Sequence, residues 1–145
     1  MQAVLFVCVH NAGRSQMAEA FFNQLAAERR LSVRAESAGT EPGAQIHPEV
    51  AAAMREVGID LAAKRPRLLT DEMVRGSVRV ITMGCAPDAA ACPAILLPHV
   101  EDWALPDPHD QSLQRVREIR DEVRRRVLQL VEEIERTGAE HALDD

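Results

Sequence analysis

Apolar and polar positions come in blocks along this chain, and the period changes from block to block. Residues 4–7 are continuously apolar, as in a strand covered on both faces. Over residues 15–29 the period lengthens to that of a helix, with Met17, Phe21, Phe22 and Leu25 on one side. "LSVRAESAG" (31–39) reads as a second strand ending in a turn at Gly39. "HPEVAAAMREVG" (47–58) is a helix with Pro48 in its first turn and Gly58 at its end. Thr70 or Asp71 caps a short helix ending near Gly76. "VRVITM" (78–83) is a third strand and "AILL" (94–97) a short fourth. Residues 111–137 carry Leu113, Val116, Ile119, Val123, Val127, Leu130 and Ile134 three or four apart, one apolar stripe on a charged helix closed by Gly138.

Strands separated by helices imply parallel pairing with right-handed crossovers. The expected fold is therefore α/β, with three layers and a four-stranded parallel sheet flanked by helices. Residues 1–138 form a single catalytic domain in this reading, and residues 139–145 a frayed tail.

Composition narrows the class. With 46% hydrophobic and 28% charged residues in 145, the profile is globular. A formal net charge of −6 disfavours nucleic acid or an anionic membrane as partner. It leaves a small anion open, because a local array of N–H donors and one arginine outweighs distant charge. The longest apolar stretches fall far short of the roughly 20 residues of a membrane span. "MQAVLFVCV" lacks the basic start and cleavage site of a secretory signal, so a cytoplasmic protein is expected, read as a monomer. Three cysteines, Cys8, Cys85 and Cys92, cannot all pair within one chain, which favours catalytic, redox or metal-binding roles over a structural framework.

The chemistry gathers where the first strand ends. Ligands of open parallel sheets bind at the carboxyl ends of strands. Cys8 stands there, followed by Val9, His10, Asn11, Ala12, Gly13, Arg14 and Ser15, a C-x5-R-S pattern running into a helix. Backbone N–H groups of such a loop and of the first helical turn converge on a concavity that binds a tetrahedral oxyanion. The same dipoles favour a thiolate nucleophile. Gly13 permits a backbone turn that a side chain would obstruct. Arg14 can hold two oxygens in a fork, Ser15 can donate to the sulfur, Asn11 can brace the loop, and His10 belongs to the rim. A nucleophile attacking an oxyanion also needs an acid for the departing oxygen. Asp107, in "ALPDPHD", is the candidate, with Pro108 stiffening its loop.

This loop, the Asp-Pro pair and the strand order resemble the low-molecular-weight protein tyrosine phosphatase fold. Within it, "VCVHNAGRSQMAEAFF", "SAGT", "EVGID" and "ITMGC" resemble the arsenate reductases that share the fold, over residues 3–136. A phosphatase, the alternative reading, needs only Cys8, Arg14 and Asp107, and typically places a tyrosine beside the Asp-Pro pair. This chain has His109 there and no tyrosine at all. A non-catalytic oxyanion binder would need neither nucleophile nor acid. The resemblance to thioredoxin-coupled arsenate reductases implies arsenate as substrate, with phosphate or sulfate competing, and a role in arsenic detoxification. It implies a relay in which Cys85 attacks Cys8 and Cys92 then attacks Cys85, six residues lying between the last two. Ala86, Ala89, Ala90 and Ala91 support one helical turn that would melt for the pair to meet. No tightly bound cofactor is implied; electrons come from an external thiol, thioredoxin or a low-molecular-weight thiol such as mycothiol or bacillithiol. A metal site joining Cys85 and Cys92 to His99 or His109 matches no common zinc spacing, so no metal is expected. Some members of that family bind potassium beside the loop. Asn11, Glu19 and Ser37 match three of the ligands, whereas Arg67 stands at the fourth and is expected to replace the ion's charge.

Overall fold

The computed structural model describes residues 2–84 and 100–137. "AILL" (94–97), the alanines between Cys85 and Cys92, those two cysteines, His99 and the expected tail lie outside the described residues.

The continuous apolar run becomes β1 (Ala3–Cys8), and the helical period after it becomes α1 (Arg14–Glu28). There follow β2 (Arg34–Gly39), α2 (Pro48–Glu56), α3 (Asp71–Arg75), β3 (Ser77–Thr82), β4 (Val100–Asp102) and α4 (Leu113–Thr137). The four strands pair in the order β2-β1-β3-β4, all parallel, as expected of crossovers through helices. The described fourth strand is β4, C-terminal to the "AILL" run read as that strand.

β1 is central, and successive side chains point to opposite faces. Val4, Phe6 and Cys8 share one core cluster with residues of α1, α2 and α4. Leu5 and Val7 join a smaller one with Ala38 and Val80, against Leu69, Met73 and Val74 near α3. Helices thus cover both faces. The stripe on α4 is realised: Val116, Ile119, Val123, Val127, Leu130 and Ile134 are all buried. Phe6 packs between Phe22 and Trp103, with ring centroids 6.2 and 5.7 Å away. This apolar block fixes β1 and α1 to each other, and so the loop between them.

Caps set the helix ends. Thr70 Oγ1 accepts from Met73 N at 3.1 Å, settling which residue caps α3. Ser112 Oγ accepts from Arg115 N at 3.1 Å at the start of α4. The charged surface of α2 and α4 is stitched where Arg117 and Arg120 both grip Glu56, holding its carboxyl at about 2, chiefly through the Arg117 hydrogen bond. No described helix is long and apolar enough to cross a membrane.

Candidate active site

The loop between β1 and α1 is organised by its carbonyls. Val9 O accepts from Glu41 N at 2.8 Å, His10 O from Gly43 N at 2.9 Å, and Ala12 O from His47 N at 3.0 Å. Asn11 O accepts from Gln16 Nε2 at 3.2 Å and Gly13 O from Met17 N at 3.0 Å. Carbonyl and N–H of one trans peptide point in opposite directions. With the carbonyls of residues 9–13 engaged on one side, the N–H groups of residues 10–14 face the other. The first turn of α1 adds N–H groups without intrahelical partners. The result is a cradle of N–H groups at the carboxyl end of β1, with the geometry to receive an anion.

Cys8, almost fully buried, ends that strand. Its Sγ lies 2.8 Å from Ser15 Oγ, which also accepts from Asn11 Nδ2 at 2.7 Å. With one lone pair taken by the amide, the hydroxyl hydrogen of Ser15 is free to point at a thiolate. Asn11 holds a left-handed φ of 51° and is pinned from behind: its Oδ1 accepts from Gln16 Nε2 at 3.0 Å and from Arg67 N at 2.8 Å. The bracing role expected of Asn11 is therefore met through three contacts, two with α1 and one with the segment before α3.

Arg14 is buried, and its Nη1 donates to Leu105 O at 2.7 Å while Nη2 lies 3.9 Å from Asp107 Oδ2. The Asp-Pro loop thus comes over the cradle, as expected. Asp107 Oδ1 accepts from His109 N at 3.0 Å, which fixes the carboxylate in its turn. Gly13 lies at φ −143° and ψ −94°, and its surroundings leave no room for a side chain. A Cβ there would stand 2.7 Å from Pro108 Cγ and 3.4 Å from His47 Cδ2.

Among the described residues, three histidines ring the mouth. His10 is exposed, with Nδ1 3.0 Å from Glu41 O, in keeping with a rim position. The rings of His47 and His109 pack at 4.8 Å. Burial first, then the neighbouring His109, push His47 below the ordinary histidine value, with Asp107 opposing. His47 escaped the sequence reading because it was read only as part of a helix start; its link to the loop is a backbone bond with no side-chain signature.

One expectation is corrected beside the loop. Glu19 is buried and accepts from Ser37 Oγ at 2.8 Å, but its second oxygen pairs with the Lys64 ammonium. Arg67 instead donates its Nε to Ser37 O at 3.4 Å. The cation facing Glu19 is therefore Lys64, three residues before the one singled out. The "KRPR" segment offered three basic candidates, and spacing alone did not rank them. Among the described residues, no group of three or more His, Cys, Asp or Glu side chains is arranged to hold a metal ion.

The structure thus brings together Cys8, Ser15, Asn11, Arg14 and Asp107. Cys85 and Cys92 lie outside the described residues; the chain reaches them through Gly84, at the same sheet edge as Cys8, after Met83 N donates to Val7 O at 2.8 Å.

Comparison with known proteins fits this arrangement. A Halobacterium salinarum protein named "Putative arsenate reductase" is 41% identical over 88% of this chain and 89% of its own length. A "Glutaredoxin arsenate reductase" of Synechocystis is 35% identical over 92% of this chain and 99% of its own. Among solved structures, "an arsenate reductase in the phosphate binding state" superposes with a TM-score of 0.78 at 35% identity, over 92% of this chain and 99% of that one. A Corynebacterium glutamicum thioredoxin-dependent arsenate reductase gives a TM-score of 0.75 at 38% identity, over 94% of this chain and 63% of that one. The family model described as low molecular weight phosphotyrosine protein phosphatase matches residues 3–140, and the chain belongs to that family.

Proposed function

We propose that this protein is an arsenate reductase that converts arsenate to arsenite through a covalent adduct on Cys8. The observation that carries the reading is the Cys8–Ser15 contact of 2.8 Å inside a loop whose carbonyls are all turned away, with Arg14 and Asp107 facing it. An oxyanion seated on the N–H groups presents its central atom to the sulfur, and Arg14 takes two of its oxygens. Cys8 thiolate attacks arsenic, an As–S bond forms, and Asp107 protonates the departing hydroxyl, which leaves as water.

Reduction follows by sulfur attack. Cys85 thiolate attacks the Cys8 sulfur; the As–S bonding pair stays on arsenic, which falls from the pentavalent to the trivalent state and departs as arsenite. A Cys8–Cys85 disulfide remains. Cys92 attacks Cys85, freeing Cys8, and the Cys85–Cys92 disulfide is reduced by an external dithiol. The names of the relatives support an external thiol donor, and they divide between thioredoxin and glutaredoxin. The relay further rests on the sequence, which supplies Cys85 immediately after Gly84, Cys92 seven positions further on, and no other redox group.

A phosphatase would use Cys8, Arg14 and Asp107 with water as the second nucleophile, and the family's name favours keeping it as the second reading. One assay separates them: arsenate-dependent NADPH oxidation with thioredoxin and its reductase, on wild type and on Cys8→Ser, Cys85→Ser and Cys92→Ser. A reductase with the relay loses turnover in all three. A protein that hydrolyses phosphomonoesters, loses that only with Cys8→Ser, and shows no arsenate-dependent turnover is the phosphatase. Turnover that survives Cys92→Ser when glutathione and glutaredoxin replace thioredoxin assigns the donor to that system.

A further inference from the structure

Arg14 is held from a direction that the proposed reaction does not use. We infer that Asp102, at the carboxyl end of β4, is a positioning residue for Arg14 that acts through Gly84. Asp102 Oδ1 accepts from Thr82 Oγ1 at 2.5 Å and from Gly84 N at 3.0 Å, so one carboxylate oxygen ties together the ends of β3 and β4. The strands are already in register there, with Thr82 opposite Asp102 and Trp103 N donating to Thr82 O at 2.9 Å. The extra bond therefore acts on the residue beyond the ladder.

That residue is a glycine for a steric reason. Gly84 has φ +101°, and a Cβ on it would lie 2.4 Å from Arg14 Nη1 and 2.9 Å from Leu105 O. The backbone of Gly84 is thus one wall of the guanidinium slot, and Leu105 O, accepting from Nη1 at 2.7 Å, is another. With Nη1 fixed, Nη2 and Nε remain to be aimed at an oxyanion, and Asp107 Oδ2 stands 3.9 Å from Nη2. If the Gly84 peptide shifts, the wall recedes and the guanidinium gains room to leave its forked geometry. Small displacements of such a group are costly, since a misplacement of about 1 Å can lower a rate by about a hundredfold.

The inference rests on the reading that Arg14 holds the oxyanion, and a double-variant test separates the two. Inorganic phosphate is titrated against the full chain by calorimetry, with Asp102→Ala made in the wild type and in Arg14→Ala. Phosphate affinity is expected to fall about tenfold in the wild-type background and by less than about twofold in Arg14→Ala, as coupled residues behave. Asp102→Asn keeps the accepting oxygen and is expected to stay within about twofold of wild type. Thr82→Val removes one donor and serves where Asp102→Ala does not fold; its loss is expected at about threefold, again only with Arg14 present. Equal losses in both backgrounds, or none in either while Arg14→Ala itself weakens binding, would overturn the role of Asp102. Arg14→Ala that binds phosphate as wild type does would overturn the underlying reading instead. In steady state the Asp102→Ala loss should fall on KM for arsenate and on kcat together, and Asp102→Asn should restore both, which a general loss of stability would not produce.

Discussion

Replacing Lys64 by Met leaves Glu19 as a buried carboxylate with one remaining partner. The Glu19 side chain is 7% exposed and the Lys64 side chain 45% exposed. Breaking a fully buried pair costs about 3–5 kcal/mol, whereas a fully exposed pair is worth about 0–1 kcal/mol. With one partner dry and the other half wet, the loss should be about 1.5–3 kcal/mol, softened by the Ser37 hydroxyl, which still donates at 2.8 Å. At about 4 °C per kcal/mol for a chain of this size, Tm falls by about 6–12 °C. The measurement is urea unfolding at low salt on wild type, Lys64→Met, Glu19→Gln and the double variant. The double variant should recover much of the Lys64→Met loss, with a coupling of about 1–2 kcal/mol. Single losses that simply add, within about 0.5 kcal/mol, would refute the reasoning. The same pair predicts that exchanging sodium for potassium leaves wild-type activity unchanged, because the ammonium already faces the carboxylate.

Other expectations follow from the same contacts. Ser15→Ala removes the hydroxyl beside Cys8 and orphans Asn11 Nδ2; at about 1.5–3 kcal/mol for a hydrogen bond to a charged group, kcat/KM for arsenate should fall by about 10- to 100-fold. Gly13→Ala puts a carbon 2.7 Å from Pro108 Cγ, forcing that loop back by about 1 Å from normal contact. Its kcat should drop by up to about a hundredfold, with phosphate affinity much less affected, because the acid moves and the cradle stays. His47 is held below its ordinary value of 6.5, so the unfolded chain takes up that proton first as pH falls. Stability contributed by neutral His47 is present above pH 6.5 and declines below it, and His47→Asn should flatten this part of the pH–stability curve in denaturant titrations.

Much of this arrangement was legible because it is periodic or local. The continuous apolar run of β1 and the stripe on α4 each follow from a repeat that burial imposes. Cys8, Arg14 and Ser15 lie within eight residues, so their convergence needs only a strand, a turn and a helix. What escaped depends on contacts between distant segments. Lys64 reaches Glu19 from forty-five positions on, and nothing in "KRPR" says which cation is within reach. Gly84 stands directly before Cys85 in the sequence, but the Arg14 guanidinium that demands a glycine there is seventy positions away. Gly13 is marked by the sequence as a place where a side chain would obstruct, but the Pro108 ring that supplies the obstacle lies ninety-five positions away.

The carbonyls of residues 9–13 are all engaged by N–H groups of the protein itself. The cradle is therefore shaped by bonds within the protein rather than by its anion, which keeps the ordering that accompanies occupancy small. A finished cradle of this kind reads size, shape and charge, in which phosphate and arsenate hardly differ. Under the proposed chemistry, selection comes afterwards: phosphate sits and departs, whereas arsenate leaves only once a second sulfur has stripped it from Cys8. A stronger grip by the loop would then bring no advantage in a phosphate-rich medium, because both anions would gain equally and more of the protein would stand idle.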